Sequence, residues 1–91
     1  MPYIKKDLRL RLDYLLKDYL HHESASNAGE LNYTITIILH KYFTDNGCNY
    51  QAINDIVGAL EGAKLEFYRR IASTYEDTKI KSNGDVFHEK E

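Results

Sequence analysis

The sequence has no tryptophan, one proline and one cysteine, and no long hydrophobic run. Each shortage excludes something. The proline is residue 2, so from residue 3 onward no pyrrolidine ring removes a backbone N–H from a helix interior. Long helices are favoured. The lone Cys48 excludes an intrachain disulfide and a cysteine-rich zinc cluster. A reducing cytoplasm is the simplest setting for it. The longest strongly apolar stretch, residues 35–39, is far short of the ~20 residues a bilayer span requires. The first residues, Met1-Pro2-Tyr3-Ile4-Lys5-Lys6, lack the apolar core of a secretory signal. No large excess of one charge exists either: 12 Lys and Arg face 14 Asp and Glu. That is unlike the basic footprint of a duplex-DNA-binding domain.

What is present is an ordinary globular balance, 43% apolar and 29% charged, with eight tyrosines. Ninety-one residues fit one domain, residues 1–91. A chain this short buries a modest fraction of its surface, and self-association is a common remedy.

Periodicity predicts three main helices. The first covers residues 7–20, where Leu8, Leu12, Leu15, Leu16 and Tyr19 recur at helical spacing and Asp13, Lys17 and Asp18 fall between them. Ile4 would extend that stripe backwards. Residues 21–29 are small and polar and read as a loop, with Asn27 or Gly29 as the cap of the next helix. The second helix covers residues 30–43, with Leu31, Ile35, Ile38, Leu39 and Tyr42 on one face. The β-branched cluster from Thr34 to Ile38 competes for strand, but the 3.6-residue pattern covers the longer window. Thr44-Asp45-Asn46-Gly47 is a turn in which Asn-Gly tolerates positive φ. The third helix starts near Tyr50 with Asn49 as N-cap and runs to at least Ala72, about 34 Å at the α-helical rise. Its stripe is Ile53, Val57, Leu60, Phe67 and Ile71, with Lys64 packing its stem within it. Residues 73–82 continue that helix, leave it, or form a short fourth one; Asn83-Gly84 ends it. Residues 85–87 make a short apolar hook, and residues 88–91 are expected to fray. The expected fold is an all-α small helical bundle with antiparallel neighbours.

The third helix has a second face. Gly58, Gly62, Leu65 and Arg69 fall together, roughly opposite the stripe. A glycine inside a helix costs close to ~1 kcal/mol relative to alanine, so two call for an offset. Four-residue spacing would let another backbone approach. A second copy of the chain is the functional reading; another helix of the same chain, or two idle glycines, are the structural ones.

The densest polar stretch is Lys64-Leu65-Glu66-Phe67-Tyr68-Arg69-Arg70, followed by Tyr75-Glu76-Asp77. Arg69 and Arg70 offer planar donors for phosphate or carboxylate, and Tyr68 and Tyr75 offer faces for a stacked base. Lys64, Tyr68, Arg69, Arg70 and Tyr75 therefore form the candidate ligand or partner site. The structural alternative is a solvated face with Glu66–Arg70 and Glu61–Lys64 surface pairs. His21-His22-Glu23 does not make a metal site, because adjacent helical residues point about 100° apart; His40 and His88 are distant in sequence. Cys48 has no base partner that would make it a nucleophile. No Glu-x-x-Glu, Gly-rich phosphate loop or Ser-x-x-Lys is present, and Asp55 and Glu66 are separated by about 16 Å along one axis. No enzyme chemistry, metal or cofactor is implied.

Taken together, the run Ile53-Asn54-Asp55-Ile56-Val57-Gly58-Ala59-Leu60-Glu61, its continuation Lys64-Leu65-Glu66-Phe67-Tyr68-Arg69-Arg70, and then Tyr75-Glu76-Asp77, Lys79 and Asn83-Gly84-Asp85-Val86 resemble a family of short uncharacterised proteins of bacteriophages, prophages and gut bacteria. Met1-Pro2-Tyr3-Ile4 and Gly29-Glu30-Leu31-Asn32-Tyr33 add to the resemblance. It departs at Thr74, where family members often have proline; Gly62 stands where a small residue or cysteine is common. The resemblance implies a setting and no activity: a phage-type protein in the host cytoplasm, acting on a host system. The function expected is a homo-oligomeric binding module that sequesters an anionic, nucleotide-like ligand or caps a host protein. The alternative is a nucleic-acid-associated regulator using Lys5, Lys6, Arg9 and Arg11, although residues 1–22 hold only five bases against three acids.

Overall fold

A computed structural model of the chain describes residues 4–87. The readings of Met1-Pro2-Tyr3 and of residues 88–91 lie outside the described residues. The chain forms two compact units, Met1–Ala52 and Ile53–Glu91. The ordered elements are all helices, with no strand among the described residues. The all-α expectation agrees with this.

In the first unit, α1 (Lys6–Leu15) and α2 (Lys17–His21) cover the segment expected to form one helix. Leu16 separates them. Its backbone leaves helical geometry at φ −98°, ψ 8°. Its N–H is shared between the carbonyls of Leu12 and Asp13, both at 3.1 Å. The hydrogen-bond ladder therefore changes step at Leu16.

α3 (Ala28–Asp45) is opened by Asn27, whose Oδ1 accepts the Glu30 N–H at 2.9 Å. The Glu30 carboxylate reaches back and accepts from the Ser26 N–H at 2.9 Å and its hydroxyl at 3.0 Å. This is a reciprocal arrangement close to a capping box. These two bonds from Ser26 hold the Glu30 carboxyl below its usual range.

The β-branched cluster lies inside α3. Thr34 and Thr36 donate their hydroxyls to the carbonyls of Glu30 and Asn32, each at 2.8 Å. That back-bonding gives the threonines a helical use for the polar groups that suggested an alternating strand. Ile35, Leu39 and Phe43 are the half-buried large side chains of α3.

α3 ends in a Schellman-type cap. The Cys48 N–H donates to the Phe43 carbonyl at 2.9 Å, and Gly47 between them has φ +98°. Cys48 itself has φ +54°. Asn49 then opens α4 (Tyr50–Phe67) by accepting the Ala52 N–H at 2.8 Å, as the sequence predicts. Ala52, 1% exposed, is the one buried residue among those described.

In the second unit α4 continues without a gap through a π turn (Tyr68–Ala72) into α5 (Ser73–Asn83). The charged tail stays helical. Thr78 and Ser82 each donate a hydroxyl one turn back, to the carbonyls of Thr74 and Thr78, at 3.2 Å. Gly84, at φ +84°, stops the helix, and its N–H closes on the Ile80 carbonyl at 2.8 Å. Asp85 turns the chain by accepting the Phe87 N–H at 3.0 Å.

The stripe expected to form the core of the third helix is not buried. Ile53, Val57, Leu60, Phe67 and Ile71 are all exposed, and Ile56 is the half-buried large apolar side chain of α4. Ile56 stands about 100° around the axis from its neighbour Val57, on an adjacent line of the helix.

Two substitutions test these local devices. Asn27→Ala should cost about 1 kcal/mol through the lost cap. Gly47→Ala should cost about 1–2 kcal/mol, because an L-residue is placed in left-handed backbone, with its Cβ 2.9 Å from Asn49 Nδ2. Urea unfolding followed by circular dichroism would measure both.

Candidate functional site

The arginine and tyrosine cluster lies where α4 passes into the π turn and α5. Glu66 is its centre. Its Oε2 pairs with Arg70 Nη1 at 3.1 Å and its Oε1 with Arg69 Nη2 at 3.8 Å. The Glu66 side chain is 28% exposed, whereas those of Arg69 and Arg70 are 74% and 61% exposed. The hydrogen bond from Arg70 holds the Glu66 carboxyl below its usual range. Tyr68 points along the helix and donates its hydroxyl to Glu76 Oε1 at 2.8 Å. That bond to a carboxylate raises the phenol above its ordinary value.

Lys64 stays one turn earlier, 3.7 Å from Glu61. Tyr75 carries the Lys79 ammonium over its ring at 5.5 Å. The structure thus brings Arg69, Arg70 and Glu66 together, and separately Tyr68 and Glu76. It leaves Lys64 and Tyr75 with other partners. The expected Glu66–Arg70 and Glu61–Lys64 pairs are both present.

Electrostatically the segment is balanced. Residues 61–79 hold four bases, Lys64, Arg69, Arg70 and Lys79, and four acids, Glu61, Glu66, Glu76 and Asp77. An anion reaching the two arginines would compete with Glu66 for the same N–H groups. Exposed pairs of this kind contribute little stability, so the competition is a matter of geometry and local charge.

The glycine face is open. No heavy atom lies within 4 Å of where a Cβ would stand at Gly58 or Gly62, their own helix backbone aside. Leu65 beside them is 56% exposed.

The first unit holds a groove that periodicity alone does not assemble. Leu16, Tyr19 and Leu20 on one side and Leu31, Thr34, Ile35 and Ile38 on the other line an open groove of about 450 Å³, almost wholly apolar. The two stripes that line it are legible in the sequence; that the α2 end and α3 face one groove is not. Cys48 is exposed. Among the described residues no group of three or more His, Cys, Asp or Glu side chains is placed to hold a metal ion. No helix of the described residues is long and apolar enough to cross a membrane.

These features define an all-α chain that presents helix faces to its surroundings and joins few polar groups into a site. A family model, Domain of unknown function (DUF6899), matches residues 1–86. The chain belongs to that family. No curated protein and no solved structure matches it.

The Tyr68–Glu76 bond has a pH signature. A phenol raised above about 10 favours the protonated folded form, so its contribution is complete below that pH and is lost as pH rises through the raised value. The lowered Glu66 acts oppositely: its contribution is present above about 4.5 and is lost as pH falls through the depressed value. Alkaline titration of helicity should therefore lose a component in Tyr68→Phe, and acid titration should lose one in Glu66→Gln.

Proposed function

We propose that the chain is a small homo-oligomeric binding module. The observation that carries this reading is the open glycine line on α4, where Gly58 and Gly62 leave room for a second backbone. Neither glycine is needed for a turn or a positive φ, so each weakens the helix with no local return. A second copy packed along Gly58, Gly62 and Leu65 supplies the offset. The exposed leucines and isoleucines of α1, α2 and α3 add apolar surface of the kind that assembly covers, and a helical bundle would then form.

In the assembled form Arg69 is on the same side as the glycines. Self-association would bring arginines from two copies towards one place. Their joint charge is better able than one pair to displace Glu66 in favour of an anionic ligand. Tyr68 and Tyr75 supply aromatic faces for a base-bearing one. The resemblance to phage and prophage proteins suggests a counter-defence role in a host cytoplasm, acting stoichiometrically on a nucleotide-like signal or a host protein. No catalytic step is proposed.

Native mass spectrometry of gently purified protein is the direct test. A discrete oligomer is the expected result, and retained mass would give the ligand's chemistry; a bare monomer at micromolar concentration overturns the reading. The paired variant Gly58→Ala and Gly62→Ala separates interface from idle glycine. It should raise helix stability by up to about 1 kcal/mol per site in a free helix while breaking the oligomer. A variant that gains stability and keeps the oligomer shows that the glycine face is not the interface. For the ligand, Arg69→Ala with Arg70→Ala should remove retained anionic mass and leave the subunit number unchanged.

A further inference from the structure

The π turn at Tyr68–Ala72 contains no glycine or proline to cause it. It permits a side-chain contact that a regular α-helix does not. In an unbroken α-helix, residues eight apart are about 2.2 turns apart, or roughly 80° around the axis. Tyr68 and Glu76 would then point along different lines. The i→i+5 pattern of a π turn takes up one extra residue. That leaves the two about seven α-type steps apart, close to two whole turns. Their side chains share a line, and the hydroxyl meets the carboxylate at 2.8 Å. The bond thus requires the π register.

We infer that this segment is a register lock. The Tyr68–Glu76 bond selects the π form; its release lets the helix close to regular α geometry and turns α5 by about 100° around its axis relative to α4.

The rotation changes the continuation of the apolar stripe of α4. In the locked form the line of Ile53, Val57, Leu60 and Phe67 runs on into Glu76, Lys79 and Asn83, which are polar. In the released form it runs on through Ile71 into Thr78 and Ser82, and Tyr75 passes from the Phe67 edge of the stripe to its Val57 edge. Release therefore carries the charged Glu76 and Lys79 off that line and brings the hydroxyls of Thr78 and Ser82 onto it. Glu66 keeps its arginines in either form, because i,i+3 and i,i+4 partners also meet on a regular α-helix. The register lock does not rest on the self-association proposed above, which uses the opposite side of α4.

Nuclear magnetic resonance of the full chain tests the lock without reference to any ligand. Wild-type protein should show contacts between the Tyr68 ring and the Glu76 side chain. Tyr68→Phe should lose the i→i+5 pattern across residues 68–72, and Ile71 and Tyr75 should come into i,i+4 contact. Tyr68→Phe that keeps the π pattern overturns the proposal. A second variant guards against a simple loss of structure. Removal of Ala72 leaves Tyr68 and Glu76 seven apart, so that chain should form a continuous α-helix and keep the Tyr68–Glu76 contact. Loss of that contact in a helical deletion variant also overturns the proposal. Subunit number, read separately by native mass spectrometry, reports on self-association alone.

Discussion

Between Tyr42 and Ala52 the chain must finish one helix and start another, and the loose carbonyls of the first and loose N–H groups of the second need partners. Four residues provide them. Asn46 donates its side-chain amide to the Tyr42 carbonyl at 2.8 Å, and Cys48 closes on Phe43. Asn49 accepts from Ala52 and also donates to the Asn46 carbonyl at 3.2 Å. Gly47 makes this possible by taking the left-handed backbone that links the two caps. With one buried residue among those described, tertiary packing contributes little to either unit, and such local hydrogen bonds set where each helix begins and stops. The same holds at Ser26, Asn27 and Glu30, and at Gly84.

That dependence explains how much of the fold is legible in the residues. Capping chemistry is local in sequence, so Asn27, Asn49 and the Asn-Gly steps are visible without knowledge of any distant contact. Helix type in α3 is visible for the same reason, once the two threonine hydroxyls are allowed to bond back along their own chain. Burial is a different matter. Whether Ile53 or Ile56 faces inward depends on what lies beside the helix, and periodicity gives the lines of a helix without saying which one is covered. The break at Leu16 and the π turn are not legible, because neither has a glycine or proline to mark it. The pair Tyr68 and Glu76, eight apart, looks unrelated on an α-helical wheel and becomes meaningful only when one residue is taken out of the count.

The polar cluster is legible as a place and not as a set of free groups. Arg69 and Arg70 do lie together, yet each is paired with Glu66. Residue type alone advertises an anion site, while the order Glu-Phe-Tyr-Arg-Arg places an acid within about one helical turn of both bases. Local pairing of this sort restricts any recognition to ligands that bind the guanidinium groups better than a carboxylate already at hand. It favours multivalent anions and discriminates against single carboxylates.

The cap at Asn46 has a chemical lifetime as well as a geometry. An Asn-Gly step is susceptible to attack of the glycine nitrogen on the side-chain amide, with loss of ammonia and hydrolysis to an acid. At position 46 the product would lose the two N–H donors of the amide and gain a negative charge. The Tyr42 carbonyl would then face a carboxylate in place of a donor, at the negative end of the α3 dipole. Protein that ages at this step would be weakened where α3 hands over to α4, in the part of the chain on which its helix boundaries depend.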